Sequence, residues 1–458
     1  MSFLAILPGL FAIVWIARRS PRQAYLDVYL FSLFLLPGWC RFIAPGTPDP
    51  TFYEAAILPI AAVSIFPLVR RWKLSFIDLL VFAFAAQIGY SEYANAGYKE
   101  AQNLLFDMIA AGVLPYMLAK GFLTTTGDRV RFAKRIVWYL AILTVFFACE
   151  FRFGYNPFRL VFDRFFPGQG DGWVTTFRYG LARTAGPFGH AILAGVVFLV
   201  GLHLQRWLEN SGHWERTFAK FNLPCVTKAR VLSVTLFLGI AMTMVRGPQI
   251  GAVLAAAVCA IGSGPNPRRR ARWVLLAILA IGIPAGIAGY QYASVGREAA
   301  TTASQESAAY RKELIDKYVD IAKERSLLGW GRNGWPKVAG MPSIDNYYLL
   351  LSLMHGVTAT ALLALLIITL ITKLLRNGIE TGQLKPAGSS LSFRLAGIYT
   401  GFAFAILTVY MGDNVIPIFF TLTGFTDSYL QCGGDRTLLL SASQPATTSP
   451  RRFATVFA

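Results

Sequence analysis

Apolar stretches long enough to cross a membrane recur along the whole chain, and they restrict its fold more than any other feature. They cover 15 to 29 residues, and about 17–25 residues as an α-helix span roughly 30 Å of hydrocarbon. A water-soluble core needs no such runs, so the sequence predicts an all-α, polytopic transmembrane bundle with about twelve spans. The stretches fall at 3–17, 25–43, 52–69, 74–90, 104–123, 136–151, 186–205, 231–245, 248–264, 273–293, 344–372, 395–410 and 415–430.

The composition agrees with a membrane protein, because 55% of the residues are hydrophobic and only 15% are charged, against roughly 25% charged in soluble domains. The net charge of +19 would suggest nucleic acid in a soluble chain. Here the basic residues lie mainly in short loops, where they set topology and meet anionic headgroups. We therefore expect membrane lipids and no nucleic acid as partners. The five cysteines lack metal-ligand spacing, so no metal or other cofactor is expected.

Clusters of Lys and Arg occupy every second loop, which by the positive-inside rule places those loops in the cytoplasm. Two longer segments, 152–185 and 294–343, then lie outside. In the second, Tyr310, Leu314, Tyr318 and Ile321 recur at helical spacing and predict an amphipathic helix over about 305–325. The predicted organisation is N-terminal spans in 1–151, an outer loop in 152–185, core spans in 186–293, a large outer loop in 294–343, C-terminal spans in 344–430 and a disordered tail in 431–458.

Three arginines on the predicted outer side are not explained by the positive-inside pattern. Arg183 precedes a span, Arg246 lies in a tight turn between two spans, and Arg311 lies on the amphipathic helix. A guanidinium presents a rigid fork of donors that binds phosphate bidentately and does not deprotonate. The alternative for each arginine is a role in snorkelling or loop positioning. Together they predict a site for a pyrophosphate-linked lipid.

Other polar and small residues accompany these arginines on the outer side. Gly329 and Trp330 belong to Leu-Gly-Trp-Gly (328–331), a turn that lets backbone approach a ligand closely. Asp345 and Asn346 come at the start of a span, where Asp345 could either cap the helix or deprotonate an acceptor hydroxyl. His190 lies at the entry to another span, and packing is the alternative to a supporting role in substrate binding.

The order and spacing of these motifs resemble the O-antigen ligase and polymerase family of bacterial envelopes. The resemblance covers roughly 183–372 and rests on Arg183 with Gly-Pro-Phe-Gly-His (186–190), Thr-Met-Val-Arg-Gly (243–247), Arg311, Leu-Gly-Trp-Gly (328–331) and Asp-Asn-Tyr-Tyr-Leu (345–349). It implies an inverting glycosyltransferase of the GT-C type in the bacterial inner membrane, with its large loop periplasmic and without a metal or nucleotide. Its implied partners are an undecaprenyl-pyrophosphate-linked oligosaccharide and other polysaccharide assembly proteins.

The resemblance also implies roles for individual residues. Arg183, Arg246 and Arg311 would hold the donor pyrophosphate and stabilise it as a leaving group. Ligases of the family carry His-Asn where this chain has Asp345-Asn346, and that histidine is their proposed base. The difference favours a polymerase, which extends O-antigen or exopolysaccharide from carrier-linked repeats. A ligase that transfers the glycan to lipid A core, and a transporter or flippase of lipid-linked sugar, are the alternatives.

Overall fold

The computed structural model describes residues 2–44, 48–170, 174–215, 227–381, 388–412 and 414–435. These residues are mostly helical, and their named strands form one hairpin, β1 (Phe177–Arg178) and β2 (Leu181–Ala182). The all-α membrane class is thereby confirmed, whereas the count of about twelve spans stays a prediction. Most of the tail predicted to be disordered, from 436 onward, lies outside the described residues. Among those described, six helices are long and apolar enough to cross a membrane: Phe52–Val69, Tyr98–Phe122, Thr126–Phe153, Ala191–Asn210, Pro267–Ala293 and Tyr347–Thr381.

The first part of the chain forms nine helices among the described residues, several of them joined end to end. A π-helical turn, Tyr25–Tyr29, links the second of these helices to the third, and another, Ile109–Val113, links the sixth to the seventh. Thr51 and Ser75 start the fourth and fifth with capping boxes, which satisfy backbone donors at the helix starts. The helices are α1 (Leu7–Arg18), α2 (Pro21–Ala24), α3 (Leu30–Leu35), α4 (Phe52–Val69), α5 (Phe76–Ala96), α6 (Tyr98–Met108), α7 (Leu114–Phe122), α8 (Thr126–Phe153) and α9 (Pro157–Phe162).

The second part begins with the hairpin and continues through longer helices. A 3₁₀ turn over Gly186–Phe188 and a left-handed Gly189 (φ 69°) precede the first of them. The helix therefore begins at Ala191, and the predicted span start at 186 was wrong. The helices are α10 (Ala191–Asn210), α11 (Lys228–Met242), α12 (Arg246–Ile261), α13 (Pro267–Ala293), α14 (Ala303–Glu324), α15 (Tyr347–Thr381), α16 (Leu391–Ala405) and α17 (Val415–Gln431).

The loops that carry basic clusters meet at one end of the bundle. Arg22, on α2, forms an ion pair with Asp128 at the start of α8, at 2.9 Å. Asn210, at the end of α10, donates to the carbonyl of Gly388 before α16, at 3.0 Å. We call this the basic end. The hairpin, the start of α12 and α14 lie at the opposite end.

Small residues bring α12 and α16 into close backbone contact. A Cβ atom on Gly401 would lie 2.7 Å from the carbonyl oxygen of Gly251, and one on Gly397 would lie 2.7 Å from that of Ala255. On each helix the two small residues are four positions apart, a spacing that lets two helices approach closely in a membrane. This packing fixes the axis of α12, and with it the position of Arg246 at its first residue.

The predicted amphipathic helix is present as α14, and its apolar face packs inward. Leu314 and Tyr318 are each 1% exposed, and they form a small core with Met341, Leu349 and Leu353. The last two residues lie on α15, so α14 packs against the start of that helix. The large loop is therefore folded onto the bundle at the end opposite the basic loops.

Candidate functional site

The β-hairpin presents two arginines on one face. Tyr179 (φ 53°) and Gly180 (φ 76°) form the turn, and both adopt the left-handed conformation that two-residue hairpins require. Arg178 pairs with Leu181, and the Arg183 amide donates to the Thr176 carbonyl at 2.8 Å. Opposite residues in an antiparallel ladder share a face, as do residues two apart on one strand. Arg178 and Arg183 therefore project to the same side.

Arg183 is partly buried beside other positive charges. One guanidinium nitrogen donates to Thr176 Oγ1 at 3.3 Å, whereas the buried Nε has no hydrogen-bond partner among the described residues. Burial lowers the pKa of Arg183, and the charges of Arg178 and Arg311 lower it further. Arg311, on α14, is therefore a neighbour of the hairpin arginines. Arg311 is far from Arg178 and Arg183 in sequence, and the fold brings the three charges close enough to interact.

The turn between α11 and α12 adds a fourth arginine. Met244 adopts φ 52°, a conformation that costs a non-glycine residue energy and is concentrated at functional sites. Its carbonyl oxygen accepts a hydrogen bond from Arg178 Nη1 at 2.7 Å. Two residues later Arg246 is exposed, and its Nη2 donates to Ser304 Oγ on α14 at 3.1 Å. Because Ser304 and Arg311 are two helical turns apart, they share one face of α14.

We call Arg178, Arg183, Arg246 and Arg311 the arginine cluster. Within the described residues, none of the four has a carboxylate within 4.0 Å, although fourteen other ion pairs occur there. Arg311 Nε is also buried and without a partner. An unsatisfied buried donor costs about 1–3 kcal/mol, and like charges in proximity add repulsion. An anion bound among the four would offset both costs, and a pyrophosphate has the acceptors to do so.

His190 stands beside the cluster as the N-cap of α10. Its Nδ1 accepts from the Ile192 amide at 3.0 Å, so that nitrogen is unprotonated. Burial lowers the pKa of His190 to about 4, with a further contribution from the charge of Arg183. His190 is therefore neutral at pH 7, where it adds no positive charge to the arginine cluster.

Asp345 and Asn346 lie at the start of α15 and are connected to α14. Ser343 Oγ donates to Asp345 Oδ1 at 2.9 Å, and the Ser343 amide donates to the Tyr310 hydroxyl at 3.2 Å. Tyr310 immediately precedes Arg311, so the short loop carrying Asp345 is attached to the helix carrying Arg311. Asp345 has no cation within ion-pair distance in the described part of the chain. The capping role falls to Asn346, whose Oδ1 accepts from the Leu349 amide at 3.2 Å.

Gly329 and Trp330 occupy a break in α15. Gly356 there has φ 86° and ψ 160°, which interrupts the helix and frees carbonyl groups. The Trp330 amide donates to the Leu353 carbonyl at 2.8 Å, and a Cβ on Gly329 (φ 64°) would lie 2.6 Å from the Gly356 nitrogen. The Leu-Gly-Trp-Gly turn therefore supplies a hydrogen-bond donor to a carbonyl group that the helix break leaves free. A role of Gly329 and Trp330 in substrate binding stays a prediction.

Sequence reasoning did not find Arg178. Its two-residue strand is too short to show an alternating pattern, so the pairing with the Arg183 strand had no signal of its own. The available signal was the turn, Tyr179-Gly180, flanked by arginines at 178 and 183.

Comparison with known families bears on this site directly. Residues 231–364 match the family model described as O-antigen ligase. The match supports the predicted resemblance to the O-antigen ligase and polymerase family over these residues. No curated protein matches the chain in sequence. The matched region contains Arg246, Arg311 and Asp345, whereas Arg178 and Arg183 precede it. The match supports a ligase- or polymerase-type activity on lipid-linked glycans at a membrane.

Proposed function

We propose that this protein is a polysaccharide polymerase that joins undecaprenyl-pyrophosphate-linked repeat units on the outer side of the bacterial inner membrane. The observation that carries the proposal is the arginine cluster, which gathers four guanidinium groups at the end of the bundle away from the basic loops. The positive-inside rule assigns that end to the periplasm. We assign the helical bundle to the GT-C type on the same family resemblance.

The cluster supplies what a pyrophosphate leaving group needs. Negative charge grows on the bridging oxygen as the sugar–phosphate bond breaks, and positioned cationic donors stabilise it. The buried, unpartnered Nε atoms of Arg183 and Arg311 are donors available to that charge. No metal or nucleotide is required in this scheme, because the guanidinium groups carry the countercharge.

Asp345 is the proposed base for the acceptor. The acceptor hydroxyl attacks the anomeric carbon of the donor sugar, and Asp345 takes the hydroxyl proton. The bond from that carbon to the pyrophosphate oxygen breaks with inversion, so a new glycosidic bond and free undecaprenyl pyrophosphate form. The hydrogen bond from Ser343 orients the Asp345 carboxylate while leaving its second oxygen available.

A ligase is the second candidate, favoured by the description of the matching family. The two activities differ in the acceptor, which is another carrier-linked repeat for a polymerase and lipid A core for a ligase. A carboxylate at position 345, in place of the histidine of the ligase pattern, favours the polymerase.

The glycolipids of a deletion strain distinguish the two candidates. Loss of a polymerase leaves single repeats on the carrier, and they are transferred as such, whereas loss of a ligase leaves long polymer on the carrier. Complementation with Arg246→Lys should restore the protein to the membrane without restoring long chains, because an ammonium cannot replace the bidentate fork. A normal ladder of chain lengths with this variant contradicts the proposal.

A further inference from the structure

A second positively lined space lies at the basic end, far from the arginine cluster. This inner basic cavity has a volume of about 780 Å³ and lies among α2, α4, α7, α8 and α17. Five basic side chains line it, and no Asp or Glu does: Arg22, Arg71, Lys73, Lys120 and Arg131. A cavity with five cations and no anion in its lining attracts a negatively charged group.

Two of the five cations form ion pairs with acids that do not line the cavity. Arg22 pairs with Asp128 at 2.9 Å. Lys120 Nζ lies 2.6 Å from Asp78 and 2.8 Å from Asp427, in a site where all three side chains are at most 4% exposed. These three acids outnumber the two cations they contact by one negative charge. The five lining cations and the three acids therefore leave a net charge of +2 at this wall.

The other three cations have no such partner. Arg71, Lys73 and Arg131 form no ion pair with any acid in the described part of the chain. The sequence segments 216–226, 382–387 and 436–458, outside the described residues, contain no Asp or Glu. Of the acids outside the described residues, only Asp171 and Asp413 exist, and neither belongs to a basic loop. Three positive charges at the cavity thus have no carboxylate within ion-pair distance in the described part of the chain.

The lining also contains an unused polar group and an apolar wall. Ser64 is 4% exposed, and its hydroxyl has no hydrogen-bond partner among the described residues. Apolar Val63, Pro67 and Leu68 of α4 continue the lining beside it. A phosphate ester could accept from Ser64 and the cations while its hydrocarbon part follows the apolar residues. This combination of polar and apolar lining fits a lipid better than a soluble anion.

We infer that the inner basic cavity binds the phosphate headgroup of an anionic phospholipid from the inner leaflet. The assignment to the inner leaflet rests on the orientation proposed above, whereas the binding itself does not. Basic pockets between helix ends on the cytoplasmic side are suited to such headgroups. The bound lipid would join α4, α7 and α8 at the basic end and stabilise their packing.

The test measures the thermal stability of the detergent-solubilised full chain as phosphatidylglycerol or phosphatidylcholine is added. We expect phosphatidylglycerol to raise the melting temperature at lower concentration than phosphatidylcholine. Arg71→Gln with Lys73→Gln should raise the half-saturating concentration of phosphatidylglycerol on the order of thirtyfold, from about 1 kcal/mol per basic residue. Arg18→Gln with Arg19→Gln is the control, because it removes the same charge from exposed residues at the same end but outside the lining. This control should leave the half-saturating concentration of phosphatidylglycerol unchanged.

Two further measurements keep the inference testable. Arg71→Lys with Lys73→Arg keeps both charges and should keep the phosphatidylglycerol response, whether or not the neutral variant folds. Inorganic phosphate added with phosphatidylcholine should not reproduce the stabilisation. Three outcomes would each overturn the assignment. They are equal stabilisation by the two lipids, an equal loss of phosphatidylglycerol response in the lining and control variants, and full stabilisation by inorganic phosphate. None of these readouts depends on glycan transfer, so they are separate from the test of the proposed polymerase.

Discussion

Arg178 Nη1 donates to the carbonyl oxygen of Met244 at 2.7 Å, which joins the β-hairpin to the turn before α12. Met244 and Arg246 lie within the region of the O-antigen ligase match, whereas Arg178 precedes it. The hydrogen bond therefore connects two parts of the arginine cluster that are distant in sequence. It also uses only part of the Arg178 guanidinium, whose remaining donors are available to a ligand.

Arg178→Gln should weaken binding of the lipid-linked donor. Glutamine can still donate to the Met244 carbonyl, so the loop connection is retained while the charge is lost. A hydrogen bond to a charged group contributes about 1.5–3 kcal/mol, which corresponds to a rise in donor KM of about tenfold to a hundredfold. Arg164→Gln, at an exposed arginine earlier in the same loop, is the matched control. An unchanged KM in Arg178→Gln removes this residue from the donor site.

Asp345→Asn should lower turnover and leave donor affinity intact. Asparagine can still accept from Ser343, so the local hydrogen bond is preserved, but it cannot take the acceptor proton. Loss of a general base costs about 10²- to 10⁴-fold in kcat. Steady-state kinetics with the purified enzyme measure this, with Asp316→Asn as a control because that acid pairs with Lys312 in the same loop. Full turnover in Asp345→Asn shows that its role is not catalytic.

His190 should make the protein less stable in acid. Its folded-state pKa is lowered to about 4, below the ordinary 6.5, so the unfolded chain binds more protons between these values. The stabilising contribution is complete above pH 6.5 and is lost as the pH falls toward 4. His190→Asn keeps an N-cap acceptor for Ile192 without titrating. From pH 7.5 to pH 5 the melting temperature should fall more for the wild type than for the variant. Equal falls would contradict the role of His190 in the acid sensitivity.

Gly401→Ala should destabilise the bundle at the α12–α16 contact. The new Cβ would lie 2.7 Å from the Gly251 carbonyl oxygen, and a backbone atom can give way only if the helices separate. Overpacking of this kind costs about 1–3 kcal/mol. Gly282→Ala is the matched control, because its Cβ would meet nothing within 4 Å on α13. Thermal unfolding should place Gly401→Ala below both the control and the wild type, and a melting temperature equal to theirs contradicts the packing argument.

Local patterns in the sequence were sufficient to predict that the chain is mainly helical and where α14 lies. The spacing of Tyr310, Leu314 and Tyr318 predicted α14 because one helix face is set by residues close in sequence. The span predicted from 186 began too early because apolar content does not show the left-handed Gly189 that stops the 3₁₀ turn. The break of α15 at Gly356 was hidden for the same reason, since the apolar run continues through it.

Contacts between distant segments could be inferred only in part. The sequence placed Arg183, Arg246 and Arg311 on one predicted side of the membrane. The structure brings Arg183 near Arg311, and it places Arg246 against Ser304, on the face of α14 that carries Arg311. Their proximity depends on the hairpin register and on the α12–α16 packing, neither of which leaves a local pattern. Arg178 was missed because its contact with Met244 depends on the fold and its hairpin with Arg183 is too short to show an alternating pattern.

Binding of the lipid-pyrophosphate-linked oligosaccharide to the purified protein tests the central claim most directly, namely that the arginine cluster holds the donor pyrophosphate. The comparison is between the wild type and Arg183→Gln with Arg311→Gln, with Arg164→Gln as the control. We predict that the double variant binds the donor at least about a hundredfold more weakly, from two charged hydrogen bonds, and that the control binds normally. Equal donor affinity in the double variant and the wild type would contradict the claim.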